Sequence, residues 1–155
     1  MGKEILKYKS GFKYQTVEDY VCVTKIKGYE AKTDYITLEK EGILTIRKGY
    51  AWDGCSGPTK DDKTNMRGGL EHDAKYQLMR LGLLPEVMKS IADEELKQRI
   101  LEDSEYLIRK KKWKTLNGVR WLLLRLRAWY YFQGVDHFAS FACKYGSEQE
   151  VKTAP

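Results

Sequence analysis

The chain has 155 residues, 42% hydrophobic and 32% charged, a globular composition for about one domain that excludes a disordered chain. Lysine and arginine outnumber aspartate and glutamate by 28 to 22, for a net charge of +6, which permits an anionic partner without requiring one. The three scattered cysteines, Cys22, Cys55 and Cys143, exclude a disulfide framework and read as reduced thiols of a protein made in a cytosol.

The opening Met-Gly-Lys-Glu-Ile-Leu lacks the apolar region of a signal peptide, and Leu6 breaks the myristoylation pattern. Residues 1–50 predict a β portion. Tyr20–Thr24, Tyr35–Leu38 and Ile43–Ile46 are short β-branched and aromatic runs, and Glu41-Gly42 marks a hairpin turn between the last two. Residues 51–65 hold Gly, Pro, Ser, Asp and Asn without apolar periodicity and read as a loop.

Helices follow. The first is expected from Met66 to Leu81, with Gly82 as its C-terminal cap. Pro85 suits the first turn of the second, which is expected to end near Asp103. A basic connector, Arg109 to Lys114, leads to a third, amphipathic helix over Leu116–Gln133. Its Leu116, Val119, Leu122, Leu123, Leu126 and Trp129 share one side, and Arg120 and Arg127 lie on the other. That apolar face has two readings, packing on the domain or docking on a membrane interface. The most apolar stretch, Trp121–Phe132, carries Arg125 and Arg127 and is too short and too charged to span a bilayer. Strands first and helices second predict an α+β fold: one domain over 1–146 with small N-terminal hairpins, an antiparallel helix pair and a third helix, then a polar tail over 147–155.

The chemistry concentrates at His72 and Asp73, one of only two histidines and its neighbour. With the interhelical turn centred near Leu83, His72 lies 11 residues before it and Asp93 10 after. At about 1.5 Å rise per residue, both stand roughly 15 Å from the turn and are level across an antiparallel pair. Tyr76, four residues from His72, shares its face. Asp93, among Ile91, Ala92 and Leu96, needs a polar partner, which His72 and the Tyr76 hydroxyl can supply. Asp73 is rotated away from His72 by about 100° and can face the Asp53 loop instead. Two carboxylates and loop carbonyls make an all-oxygen site that suits calcium. Such an ion would polarise an ester carbonyl while His72 takes a proton from water and Asp93 orients the imidazole. The rival reading is a helix-surface His-Asp pair with a solvated Asp93.

Other metals and nucleophiles fit less well. Two histidines and three dispersed cysteines lack zinc spacing. Cys55 or Ser56 could be a nucleophile with His72 as base, but turn chemistry explains them more simply. His137, near Phe138 and Phe141, reads as a core histidine. A nucleic-acid partner rests only on the net charge and the basic connector.

The His72, Asp73, Tyr76 pattern with Asp93 on the next helix resembles the phospholipase A2 superfamily. Ala92-Asp93-Glu94-Glu95-Leu96 is similar to the second helix of the phospholipase region of parvovirus minor capsid proteins, and Asp53-Gly54-Cys55-Ser56 to the calcium loop of bacterial and fungal members. The resemblance implies His72 and Asp93 as the catalytic dyad with Tyr76 beside it. It also implies calcium held by Asp73 with Asp53, Gly54 and Gly57, and a phospholipid substrate at a bacterial membrane. Leu70 and Glu71 stand where secreted members have a disulfide-bonded cysteine, and the glycines of the loop are reduced to Gly54 and Gly57. Over roughly residues 10–140, the strands ending in Lys48–Gly54 and the helices after them also resemble an uncharacterised domain family frequent in phage and prophage genomes. That implies synthesis in a bacterial host cytoplasm, association with other virion proteins, and, as the alternative to hydrolysis, a catalytically silent accessory or tail protein.

Overall fold

The computed structural model describes residues 6–8, 14–54, 63–110 and 152–154, together with positions 119, 122, 123, 125, 126, 129 and 130. The fold is α+β: antiparallel strands followed by two helices. Among the described residues the strands are β1 (Leu6–Tyr8), β2 (Tyr14–Gln15), β3 (Tyr20–Val23), β4 (Ala31–Lys32), β5 (Ile36–Leu38), β6 (Ile43–Ile46), β7 (Ala51–Trp52) and β8 (Lys152–Ala154). The helices are α1 (Met66–Arg80) and α2 (Lys89–Lys110), the latter entered through a 3-10 turn at Glu86–Met88.

The central sheet has the order β3-β6-β5-β4, all antiparallel. Alternation sets its faces. Ile36 and Leu38 of β5 and Leu44 and Ile46 of β6 are buried, while Val21 and Val23 of β3 are exposed on the other side. Tyr20 and Cys22 of β3 pack against the core that the helices complete. Each of the four buried aliphatics contributes about 1.5–3 kcal/mol of hydrophobic stabilisation. The β5–β6 hairpin closes at Gly42, whose φ of +87° favours glycine. A Cβ there would sit 2.6 Å from the Thr24 carbonyl oxygen.

The expected strands match β3, β5 and β6 to within one residue at an end. The 51–65 loop differs, because Ala51–Trp52 pairs with Tyr14–Gln15. That pairing is anchored by Thr16, whose N–H donates to the Tyr50 carbonyl at 2.9 Å and whose carbonyl accepts from Gly49 N–H at 2.9 Å. Lys152–Ala154, in the polar tail, pairs antiparallel with Leu6–Tyr8.

α1 ends as the sequence predicts. Gly82, at φ +70°, donates to the Met79 carbonyl at 2.9 Å, and Leu83 donates to the Leu78 carbonyl at 2.9 Å, the two bonds of a Schellman stop. α2 runs past its expected end near Asp103 to Lys110, so Arg109 and Lys110 of the basic connector are helical. Arg67 of α1 holds the Glu102-Asp103 segment, with its Nη2 3.0 Å from Glu102 and 2.8 Å from Asp103. The expected third helix lies for the most part outside the described residues. The positions described there include Val119, Leu122, Leu123, Leu126 and Trp129, all exposed. His137 lies outside them. Among the described residues, no helix is long and apolar enough to cross a membrane.

Candidate active site

α1 and α2 are antiparallel at residue level. As α1 advances from Arg67 through Glu71 and Lys75 to Tyr76, its partners on α2 recede from Asp103 through Arg99 and Glu95 to Asp93. Residues four apart stack on one face, so Glu71 and Lys75 form one row and His72 and Tyr76 the neighbouring one. Gly68 packs against Leu96 and against Arg99, the partner of Glu71.

The His72–Tyr76 row meets Asp93. His72 Nε2 stands 2.8 Å from Asp93 Oδ1, with side chains only 7% and 3% exposed. The Tyr76 hydroxyl donates to the same oxygen at 2.5 Å, and its ring lies against the imidazole with centroids 4.0 Å apart at 35°. Lys89 Nζ stands 3.2 Å from Asp93 Oδ2. Burial works against the charge on Asp93, but His72, Tyr76 and Lys89 outweigh it and hold the carboxyl below its ordinary 3.8. An ionised Asp93 only accepts, so His72 Nε2 carries the proton. In the neutral ring the lone pair is then on Nδ1.

Nδ1 looks toward Asp73, whose Oδ1 is 3.7 Å away. That is beyond hydrogen-bond reach but close enough for charge to act. Burial disfavours the imidazolium, and the carboxylates of Asp73 and Asp93 overcome it, raising the His72 pKa above 6.5. Asp73 also acts on Tyr50, which burial and then the Asp73 charge push upward. Tyr50 immediately precedes β7, the strand that leads to Asp53.

Asp53 is exposed and Gly54 is buried at φ +85°. Gly57, with Cys55 and Ser56, lies outside the described residues. Among the described residues, no three His, Cys, Asp or Glu side chains converge as a metal-holding group. The donors in hand, the Asp73 carboxylate and the carboxylate and carbonyls of the Asp53-Gly54 turn, are the hard oxygen class that calcium takes.

The Glu71–Lys75 row forms a buried ion cluster that hydrophobic patterning did not reveal. Lys75 Nζ is 2.7 Å from Glu95 Oε2 and 3.7 Å from Glu71 Oε2. Glu71 also accepts from the Tyr20 hydroxyl at 2.7 Å and from Arg99 Nε at 3.1 Å. Glu95 accepts from the Thr24 hydroxyl and the Lys25 N–H, each at 2.6 Å. Burial opposes the Glu95 charge, and Lys75, Thr24 and Lys25 together hold its carboxyl below 4.5. Burial, with Glu71 next, pushes the Cys22 thiol up to about 12, so it stays protonated and unreactive. The available sequence signals were the i,i+4 spacings of Glu71 with Lys75 and of Lys89 with Asp93.

Comparison of the chain with family models, curated proteins and solved structures returns no match.

Proposed function

We propose that the protein is a calcium-dependent acyl-ester hydrolase of phospholipase A2 type, encoded by a phage and acting on phospholipid of a bacterial membrane. The observation that carries this reading is the buried 2.8 Å contact between His72 Nε2 and Asp93 Oδ1. A neutral imidazole held this way keeps Nδ1 as the basic atom on the Asp73 side. There it takes a proton from a water molecule as that water attacks the ester carbonyl carbon, and it returns the proton to the leaving alcohol. Asp93 stabilises the imidazolium formed on the way, and Tyr76 and Lys89 keep Asp93 ionised. Calcium, held by Asp73 with Asp53 and Gly54 and, by resemblance, Gly57, would supply Lewis-acid polarisation of the ester.

The test is fatty-acid release from mixed phospholipid micelles with calcium and with chelator. Calcium-dependent release supports the reading, and its absence from folded protein removes it. A second reading is a silent accessory or virion protein that keeps the helix pair. The burial of both dyad side chains favours it, since a buried His-Asp bond also ties two helices together. Calorimetry separates the two: calcium binding lost in Asp73→Asn favours the hydrolase, and no binding by folded protein favours the silent form.

A further inference from the structure

We propose that Lys75 is a positioning residue for the His72–Asp93 pair, holding α1 in axial register against α2. Its catalytic consequence rests on the hydrolase reading above. Lys75 is 1% exposed, and its Nζ joins Glu95 of α2 at 2.7 Å to Glu71 of its own helix at 3.7 Å. The dyad lies in the adjoining row: His72 is three residues before Lys75 and Asp93 two before Glu95. A slide of α1 along α2 that spoils one contact spoils the other.

Gly68 packs closely on Leu96, and Ala74, Leu78, Ala92 and Ile100 are buried in the same core. To this non-directional apolar packing the 2.7 Å contact of Lys75 with Glu95 adds a point-to-point tie between the helices. Glu95 is itself fixed from the sheet side by the Thr24 hydroxyl and Lys25 N–H at 2.6 Å each. Glu71 is fixed by the Tyr20 hydroxyl at 2.7 Å and by Arg99, whose Nη2 also donates to the Val23 carbonyl at 3.0 Å. β3 and the residues just after it thus hold both carboxylates, and Lys75 connects them. The cluster ties both helices to β3 and the residues just after it, and the dyad shares that register.

Lys75→Met tests this, because the substitution keeps length and leaves each carboxylate its other donors. Two readouts are taken on protein shown to be folded by circular dichroism. The first is the side-chain ¹⁵N signature of His72, which reports the tautomer. The second is the split between kcat and KM for micellar ester. Wild type is expected to show one tautomer with the proton on Nε2. Lys75→Met is expected to show a mixture, with kcat lowered about 10-fold or more at unchanged KM, since misplacement by about 1 Å can cost about 100-fold. An unchanged tautomer with unchanged kcat, even alongside lower stability, overturns the proposal. Should Lys75→Met fail to fold, the same readouts are taken on Lys75→Gln, whose shorter neutral side chain removes the ion contact with Glu95. A tautomer mixture with lowered kcat supports the proposal, and an unchanged tautomer with unchanged kcat overturns it. If wild type releases no fatty acid, the hydrolase reading fails, and the tautomer comparison still tests the positioning role.

Discussion

Gly68 of α1 packs directly on Leu96 of α2: a Cβ at Gly68 would lie 3.0 Å from Leu96 Cδ1 and 3.3 Å from the Leu96 carbonyl oxygen. It would also meet the Arg99 Cβ at 3.2 Å. The backbones approach closely here, and this brings the two polar rows of α1 into reach of α2. Gly68→Ala should gain about 1 kcal/mol of helix propensity and lose about 1–3 kcal/mol to overpacking. A net loss of about 1 kcal/mol by urea denaturation is expected, and a larger loss for Gly68→Val. A Gly68→Ala variant more stable than wild type would show that the seam is looser than described.

Asp93→Asn should separate structure from chemistry. The amide keeps the size of the side chain but no longer fixes the proton on Nε2 or stabilises an imidazolium. Fatty-acid release is expected to fall by about 10²- to 10⁴-fold. Tyr76→Phe removes one hydrogen bond to the same charged oxygen. It should cost about 1.5–3 kcal/mol of stability, measured by urea denaturation, with a smaller loss of rate. If the two variants lose rate equally, Tyr76 has a larger part than support of Asp93.

The pH dependence follows from opposed shifts. Asp93 and Glu95 are held below their ordinary 3.8 and 4.5. Each contributes stability that is present above its ordinary value and lost as pH falls through its folded value. His72 is held above 6.5, so its contribution is complete below 6.5 and is lost as pH rises through the folded value. For these groups, stability is greatest between about 4.5 and 6.5. Urea midpoints across this range should decline on both sides, and His72→Asn should abolish the His72 part of the alkaline decline. The proposed hydrolysis has the opposite dependence on that limb: release should rise with pH above 6.5, because only the neutral imidazole accepts a proton.

The sequence shows the dyad more clearly than the scaffold that holds it. His72, Tyr76 and Asp93 were legible because helix rise and a capped turn at Gly82 make level positions countable. β3, β5 and β6 were legible as β-branched runs. β2, β4 and β7 are two residues each, too short to show alternation. Glu71, Lys75 and Glu95 escaped because charged side chains are ordinarily solvated. α1 is buried on most sides, so no polar stripe marks its exposed face. The end of α2 was misplaced because Glu102-Asp103-Ser104-Glu105 has the composition of a terminus, whereas Arg67 binds the first two and Ser104 is buried.

The proposed role of His72, as the base that activates water, is tested most directly by comparing fatty-acid release by wild type and His72→Ala, both folded, in the same calcium-containing micelles. A fall of about 10²-fold or more in His72→Ala, with release by wild type intact, is the predicted result. Equal release by the two proteins would contradict the account.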